Sequence, residues 1–344
     1  MGAPAISLIV PQGEGLEQIT EPVDQSHLDV TPVPKGQPNR QIYDLQFCKE
    51  PRNFPGLLVR SEGDSPTKAE NVNKCYELLG TVHEFFLKVF ERDSVDGIGG
   101  PLVAFVNYDF YFPGGWWEPR KGAPGSHAIT LGNGWDNDPW NEGAAVASFA
   151  GSFGNFAGSL EVVAHEVTHG ITESIVSLGH SGQSGAIHEH LADVFASMCE
   201  QWHRNQSVLE ADWLIGEDLV LPQYKGTALR SMKDPGSAYN YKGIGKDTQV
   251  KHMSQIFKGP QDNNGVHINS GILNRAFYLV ATKLGGYSWE VAGRIWWQSL
   301  NDKQMKQSMN FRRWAELTWR IAEGFGDAVA AAVGEAWLEV GVLK

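Results

Sequence analysis

Glu161-Val-Val-Ala-His165-Glu166-Val-Thr-His169-Gly170 decides how this chain is read. On a helix, residues four apart share a face. His165 and His169 therefore aim two imidazoles at one position, the spacing of two ligands on a zinc ion. Glu166, one residue past the first ligand, stands where it can take a proton from a water on that ion. The apolar residues ahead of His165 read as a buried helical turn. Further along, Gly185-Ala-Ile-His-Glu189-His-Leu-Ala-Asp193 has helical spacing again. Glu189 supplies a third protein ligand and leaves the fourth position open, the pattern of a catalytic zinc. Asp193, four residues on, can accept the outer N–H of a ligating histidine and fix its tautomer. Taken alone, Asp193 would read as a surface charge.

A third segment joins these two: Asp262-Asn-Asn-Gly-Val-His267-Ile-Asn-Ser-Gly271. Asn264 and Gly265 predict a turn leading into a helix that starts near Ser270. His267 can face a cleft as a hydrogen-bond donor, with Asp262 near enough to orient it.

Together these residues resemble the thermolysin family of zinc metallopeptidases. The likeness runs from about Arg40 to the C-terminus. It takes in Leu57-Leu-Val-Arg-Ser-Glu-Gly63, Ile215-Gly-Glu-Asp218, Leu229-Arg-Ser-Met-Lys-Asp-Pro235 and Ala336-Trp-Leu-Glu-Val-Gly-Val342, in the family's order. Nineteen residues lie between His169 and Glu189, as in this family. The related zinc aminopeptidases have one fewer, and no element here is dedicated to an α-amine.

The resemblance implies an α+β, thermolysin-like fold. Residues 40–159 would form a β-rich N-terminal domain and residues 160–344 an α-helical C-terminal domain, with zinc in the cleft between them. It implies a zinc-dependent endopeptidase acting on peptides or proteins. His165, His169 and Glu189 would bind zinc, with Asp193 behind His165. Glu166 would be the general base, and His267, held by Asp262, would donate to the oxyanion. Arg230 would contact the substrate carbonyl. Val162, Ile215 and Leu229 would line an apolar pocket for the residue on the amine side of the scissile bond.

The chain also departs from the family. His180 stands where a tyrosine usually helps bind the oxyanion; the alternative is that its glycine-rich loop carries it to solvent. His188 replaces an asparagine before the third ligand. The family's substrate-binding Asn-Ala-Phe-Trp becomes Gly114-Gly-Trp116-Trp117. Glu161, Glu200, Asp212 and Glu217 fall where family calcium ligands fall, with Leu214 at a further glutamate position. A calcium site and a solvated acidic face both remain open. The alternative function is a catalytically weakened zinc-binding homologue, acting as a binding or toxin-like module.

The wider sequence fits these expectations. A chain of 344 residues exceeds one usual core. A hydrophobic fraction of 42% with 20% charged residues is ordinary for globular proteins. The net charge of −12 argues against electrostatic binding to nucleic acid or to an anionic membrane. No apolar run reaches the length of a membrane span. Cys48, Cys75 and Cys199 show no metal spacing and allow one internal disulfide at most. The N-terminus lacks a basic region and a sustained apolar stretch, so it is a poor secretory signal. That leaves the cytoplasm or a non-classical export route. Residues 1–39 end in a Pro-rich linker, preceded by the apolar patch Ile6-Ser-Leu-Ile-Val-Pro11. This resembles the short propeptide of the protealysin-like branch, in degenerate form, and so implies a zymogen; a simple tail is the other reading. A proteinaceous inhibitor is not identifiable from sequence.

Short runs broken by Gly and Pro from Arg40 to Phe156 predict strands. Apolar spacing predicts helices over 71–91, 270–284, 289–300 and 311–323.

Overall fold

The short β-branched runs between Gly and Pro breaks do form strands. The computed structural model describes residues 33–48, 56–109, 114–119, 127–133, 153–221, 224, 228–241 and 245–344. Most of the N-terminal segment singled out from the sequence, residues 1–32, lies outside them. Strands β1 (Arg40–Asp44), β2 (Leu57–Ser61), β3 (Leu102–Tyr108), β4 (Gly115–Pro119) and β5 (His127–Gly132) make one sheet in the order β2-β1-β3-β5-β4. β3 pairs in parallel with β1 and β5, and the outer strands β2 and β4 run antiparallel to their neighbours. Helix α1 (Glu70–Phe90) buries Val72, Leu79, Val82 and Phe86, the helically spaced face read from sequence, in one core with Ile42 and Ala104 of the sheet.

Helix α2 (Leu160–Ile175) carries the first two histidines. Its residues are buried without a break from Leu160 to Thr172, as befits a helix enclosed on every side. Ser159 caps it, accepting from the Val162 N–H at 3.4 Å. Helix α3 (Gly182–Arg204) lies against it and ends at Asn205 in the left-handed conformation. Because α2 also packs on β4, it serves sheet and helices alike. A ribbon of β6 (Leu214–Ile215) and β7 (Arg230–Ser231) follows.

Helices α4 (Gln261–Leu284), α5 (Val291–Leu300), α6 (Phe311–Glu323) and α7 (Asp327–Glu339) complete the described chain. α6 has the bounds its periodicity predicts, and α7 was not anticipated. Trp296, Trp314 and Trp337 are fully buried; Trp296 stacks on Trp337 and meets Phe277 edge-on, with centroids 6.1 Å and 5.0 Å apart. Among the described residues, Cys75 and Cys199 are buried and form no disulfide. Among the described residues, no helix is long and apolar enough to cross a membrane.

The start of α4 corrects the sequence reading. Ordered turns begin at Gln261, not near Ser270. Asp262, Asn263, Asn264 and Gly265 form a left-handed turn, with φ of 54°, 49°, 65° and 79°. Such a turn costs roughly 1–2 kcal/mol for each non-glycine residue. Asp262 offsets part of this by accepting from the backbone N–H groups of His267 (2.8 Å) and Ile268 (3.1 Å), donors at the head of the right-handed helix.

Candidate active site

The fourfold spacing on α2 has the consequence read from sequence. His165 Nε2 and His169 Nε2 face each other at 3.0 Å. From α3, Glu189 reaches the same point, with Oε2 3.4 Å from His165 Nε2 and Oε1 3.7 Å from His169 Nε2. Ligand donors at ~2.0–2.2 Å in a tetrahedral zinc site stand about 3.4 Å apart. All three side chains are buried or nearly so.

The surroundings favour positive charge here. Burial opposes a charge on His165, yet Asp193 and Glu189 push it up to about 9. Burial also opposes ionisation of Glu189, yet His267 and His169 hold it well below the usual carboxylate range. Burial holds His169 well below the usual histidine value, which leaves it in the neutral form that ligates metal. Among the described residues, His169 Nδ1 is buried without a hydrogen bond. Two imidazoles and an ionised carboxylate thus fit a divalent zinc ion.

Asp193 anchors the back of this cluster. His165 Nδ1 lies 2.9 Å from its Oδ1, the Arg230 guanidinium donates to both oxygens at 2.6–3.1 Å, and Asn274 Nδ2 donates at 2.8 Å. Burial opposes its charge, but Arg230 and His165 hold Asp193 well below the usual range. Arg230 is itself buried, placed by the pairing of β7 with β6. The sequence reading assigned it to substrate; here Nε and Nη2 are committed to Asp193. Asn274 was missed. It joins Asp193 to His190 (2.8 Å), which accepts from Trp296 (2.8 Å).

Glu166 is buried beside the pair, and among the described residues its Oε1 has no hydrogen bond. Burial, opposed by His165, pushes it up to about 7. Opposite stands the sheet's end strand. A Cβ on Gly115 would come 3.1 Å from Leu131 Cδ2 and 3.2 Å from Glu166 Oε1, a tight approach that glycine avoids beside the base. A Cβ on Gly170 would lie 2.2 Å from the Trp117 ring, which α2 therefore accepts only over a glycine. Trp117 Nε1 also donates to Glu173 at 3.3 Å. Trp116 is buried and meets Tyr108 edge-on at 4.7 Å. Both rings are packed into the protein, and Gly114 accepts from Gly132 N–H within the sheet (2.8 Å).

His267 Nδ1 lies 2.5 Å from Asp262, and its Nε2 lies 3.3 Å from Glu189. Burial opposes its charge, but Glu189 and Asp262 push it up to about 10. Its Nε2 thus keeps a proton to donate. His180, by contrast, has a side chain 66% exposed and faces Glu173. Val162, Ile215 and Leu229 are buried in the main core, with Leu229 N–H bonded to Ile215 O next to Arg230.

Glu161, Glu200, Asp212 and Glu217 line one cavity of ≈ 510 Å³, joined by Asp218, which the sequence reading did not include. Burial first, then Asp218 and Glu200, pushes Glu161 well above the usual range. Arg204 pairs with Glu200 at 2.5 Å.

Two imidazoles, a carboxylate and a buried glutamate beside them define a metal-dependent hydrolase site. Residues 39–173 match the model of the thermolysin metallopeptidase catalytic domain, and residues 176–342 that of its alpha-helical domain. The extracellular metalloprotease of Pectobacterium carotovorum subsp. carotovorum is 41% identical, over 90% of this chain and 83% of the relative. Protease PrtS of a Photorhabdus strain is 38% identical, over 88% and 76%. The solved precursor of protealysin, a metalloproteinase from Serratia proteamaculans, superposes with a TM-score of 0.80 at 38% identity, covering 91% of this chain and 90% of that one. The chain belongs to the thermolysin family of metallopeptidases, hydrolases that act on peptides or proteins, and the family implies zinc.

Proposed function

We propose that this protein is a zinc endopeptidase that cleaves internal peptide bonds with an apolar residue on the amine side. The convergence of His165, His169 and Glu189 beside the buried, unpaired Glu166 carries this reading. His165, His169 and Glu189 would hold the ion, and Asp193 keeps His165 in the tautomer with Nε2 free. Bound there, Zn²⁺ supplies Lewis-acid chemistry, polarising the substrate carbonyl and lowering the pKa of water. Glu166 takes the proton of the attacking water and passes it to the leaving amine. His267 donates Nε2–H to the carbonyl oxygen as it gains negative charge, and Asp262 holds the ring in place. Arg230 fixes Asp193 and borders the substrate at the wall where Val162, Ile215 and Leu229 select an apolar side chain.

Glu166→Ala tests the reading. It deletes the proton acceptor and no ligand, so zinc stays bound while turnover of an internally quenched peptide falls about 10²–10⁴-fold. Near-normal turnover in that variant would refute the mechanism. A cleavage profile led by acidic or basic residues on the amine side would refute the pocket.

Two further parts of the reading rest on likeness. Similarity to the protealysin precursor supports a zymogen whose N-terminal segment, about residues 1–39, restrains the cleft; activity before and after its removal tests this. The name of the Pectobacterium relative favours export over a cytoplasmic location. The acidic cavity at Glu161, Glu200, Asp212, Glu217 and Asp218 fits calcium by its oxygen donors and by the burial that pushes Glu161 up. A rise in Tm on calcium addition, lost in Glu161→Gln, tests that site.

A further inference from the structure

Two of the departures from the family, His180 and His188, come together in space. His188 sits on α3 next to Glu189, and His180 sits on the loop just before α3. Their ring centroids are 5.8 Å apart. Glu173 completes the group from α2. It lies four residues past His169 and eight past His165, on the same stripe of the helix. One donor atom from each of Glu173, His180 and His188 lies within 4.8 Å of the other two.

We infer that Glu173, His180 and His188 form a second site for a divalent transition ion of the zinc type, beside the first. The Glu173 Oε1 to His180 Nε2 distance of 3.6 Å is long for a hydrogen bond. It does match two ligands across an ion, about 3.4 Å, and repeats the 3.4 Å and 3.7 Å separations around Glu189. The donor set, two imidazoles and one carboxylate, is also that of the first cluster. Trp117 Nε1 bonds the other oxygen of Glu173, which leaves Oε1 turned toward His180. An outer partner that orients a ligand is a usual feature of metal sites. His188 is buried and held between the His169 ring, with centroids 4.3 Å apart, and the His169 carbonyl at 3.4 Å. His180 is the exposed member, on the loop before α3, so its ring can close the site without moving a helix.

Placement sets the order of filling. The first cluster has the deeper burial and the better-fixed ligands. A cation there repels a second one nearby. The second site is therefore weaker, and it fills only after the first. Once filled, it ties the His180 loop to α2 and, through Glu173, to Trp117 on the end strand. This assignment is separate from the proposed peptidase mechanism, because its ligands are not those of the first site.

The test is a titration of the full-length, metal-depleted protein with Co²⁺, read by visible absorption and by equilibrium dialysis. Wild type should bind one ion tightly and a second at least 10-fold more weakly. His180→Ala, at an exposed side chain, and Glu173→Gln, close in shape to the original, should each lose the weaker event and keep the tight one. A single event in wild type up to millimolar Co²⁺ would overturn the proposal. So would a second event that survives either substitution. Loss of the tight event in wild type would instead strike the first site, so the two readings fail separately.

Discussion

The α2–α3 pair borders two polar clusters that solve opposite electrostatic problems. At the zinc cluster, two buried carboxylates meet partners that offset their burial, while Glu166 does not. Asp193 faces Arg230 and His165, Glu189 faces His267 and His169, and both are held well below their ordinary range despite burial. At the acidic cavity, carboxylates face one another. Burial pushes Glu161, Glu200 and Asp218 up, and Arg204 is the cation that pairs with Glu200. Burial is similar in kind, so partners decide the sign. The first cluster is balanced within the chain and then takes an ion for chemistry. The second needs protons or a cation to be comfortable at all.

The largest effect expected from this contrast is at a zinc ligand. His169→Ala should lose bound zinc and peptide cleavage together, measured by metal content and by a quenched peptide; Glu161→Gln should leave both nearly intact. Equal losses in the two variants would erase the distinction between the regions.

Next comes the balanced pair itself. Asp193→Asn leaves Arg230 buried without its carboxylate. That should cost about 3–5 kcal/mol in denaturant unfolding and weaken zinc binding about 10–100-fold. A loss of less than 1 kcal/mol would mean that Asp193 is not the anchor described. Smaller again is Gly170→Ala. Its new methyl meets the Trp117 ring, an overpacking that costs about 1–3 kcal/mol and moves the end strand away from Glu166. Unchanged stability and KM would contradict the close approach of α2 and β4.

The smallest effect is in pH, where the two clusters have opposite signs. Asp193 has a depressed folded pKa, so its stabilisation is full above the unfolded value near ~3.9 and is lost as pH falls through the folded value. Glu161 has a raised folded pKa. The folded state binds its proton more tightly, so stability falls as pH rises from the unfolded value near ~4.3 through the folded value. In chelator, Tm should therefore decline across that upper window. Glu161→Gln or added calcium should flatten the decline. A Tm that rises through the window in chelator would reverse the assignment.

Much of this was legible because it depends on local spacing. The two histidines and Glu166 needed only the helical repeat, and Glu189 with Asp193 needed it once more. Phe311–Glu323 was readable for the same reason. What stayed hidden depends on elements meeting. Asn274 looks like any helical asparagine until α4 brings it to Asp193. Gly115 and Gly170 matter because β4 and α2 approach closely, which no single segment encodes. The left-handed turn at Asp262–Gly265 read as an ordinary turn, since Asn and Gly favour several turn types. Of the two readings open for His180, the exposed loop is the one seen, and its neighbour, Glu173, sits on the helix before it.

One measurement bears most directly on the central claim. Metal-free protein is titrated with zinc while cleavage of an internally quenched peptide is followed. Turnover should be absent without metal and rise to its maximum at one equivalent of zinc, with Glu166→Ala binding that same equivalent and staying inactive. Full cleavage by the metal-free protein, or by zinc-loaded Glu166→Ala, would contradict the account.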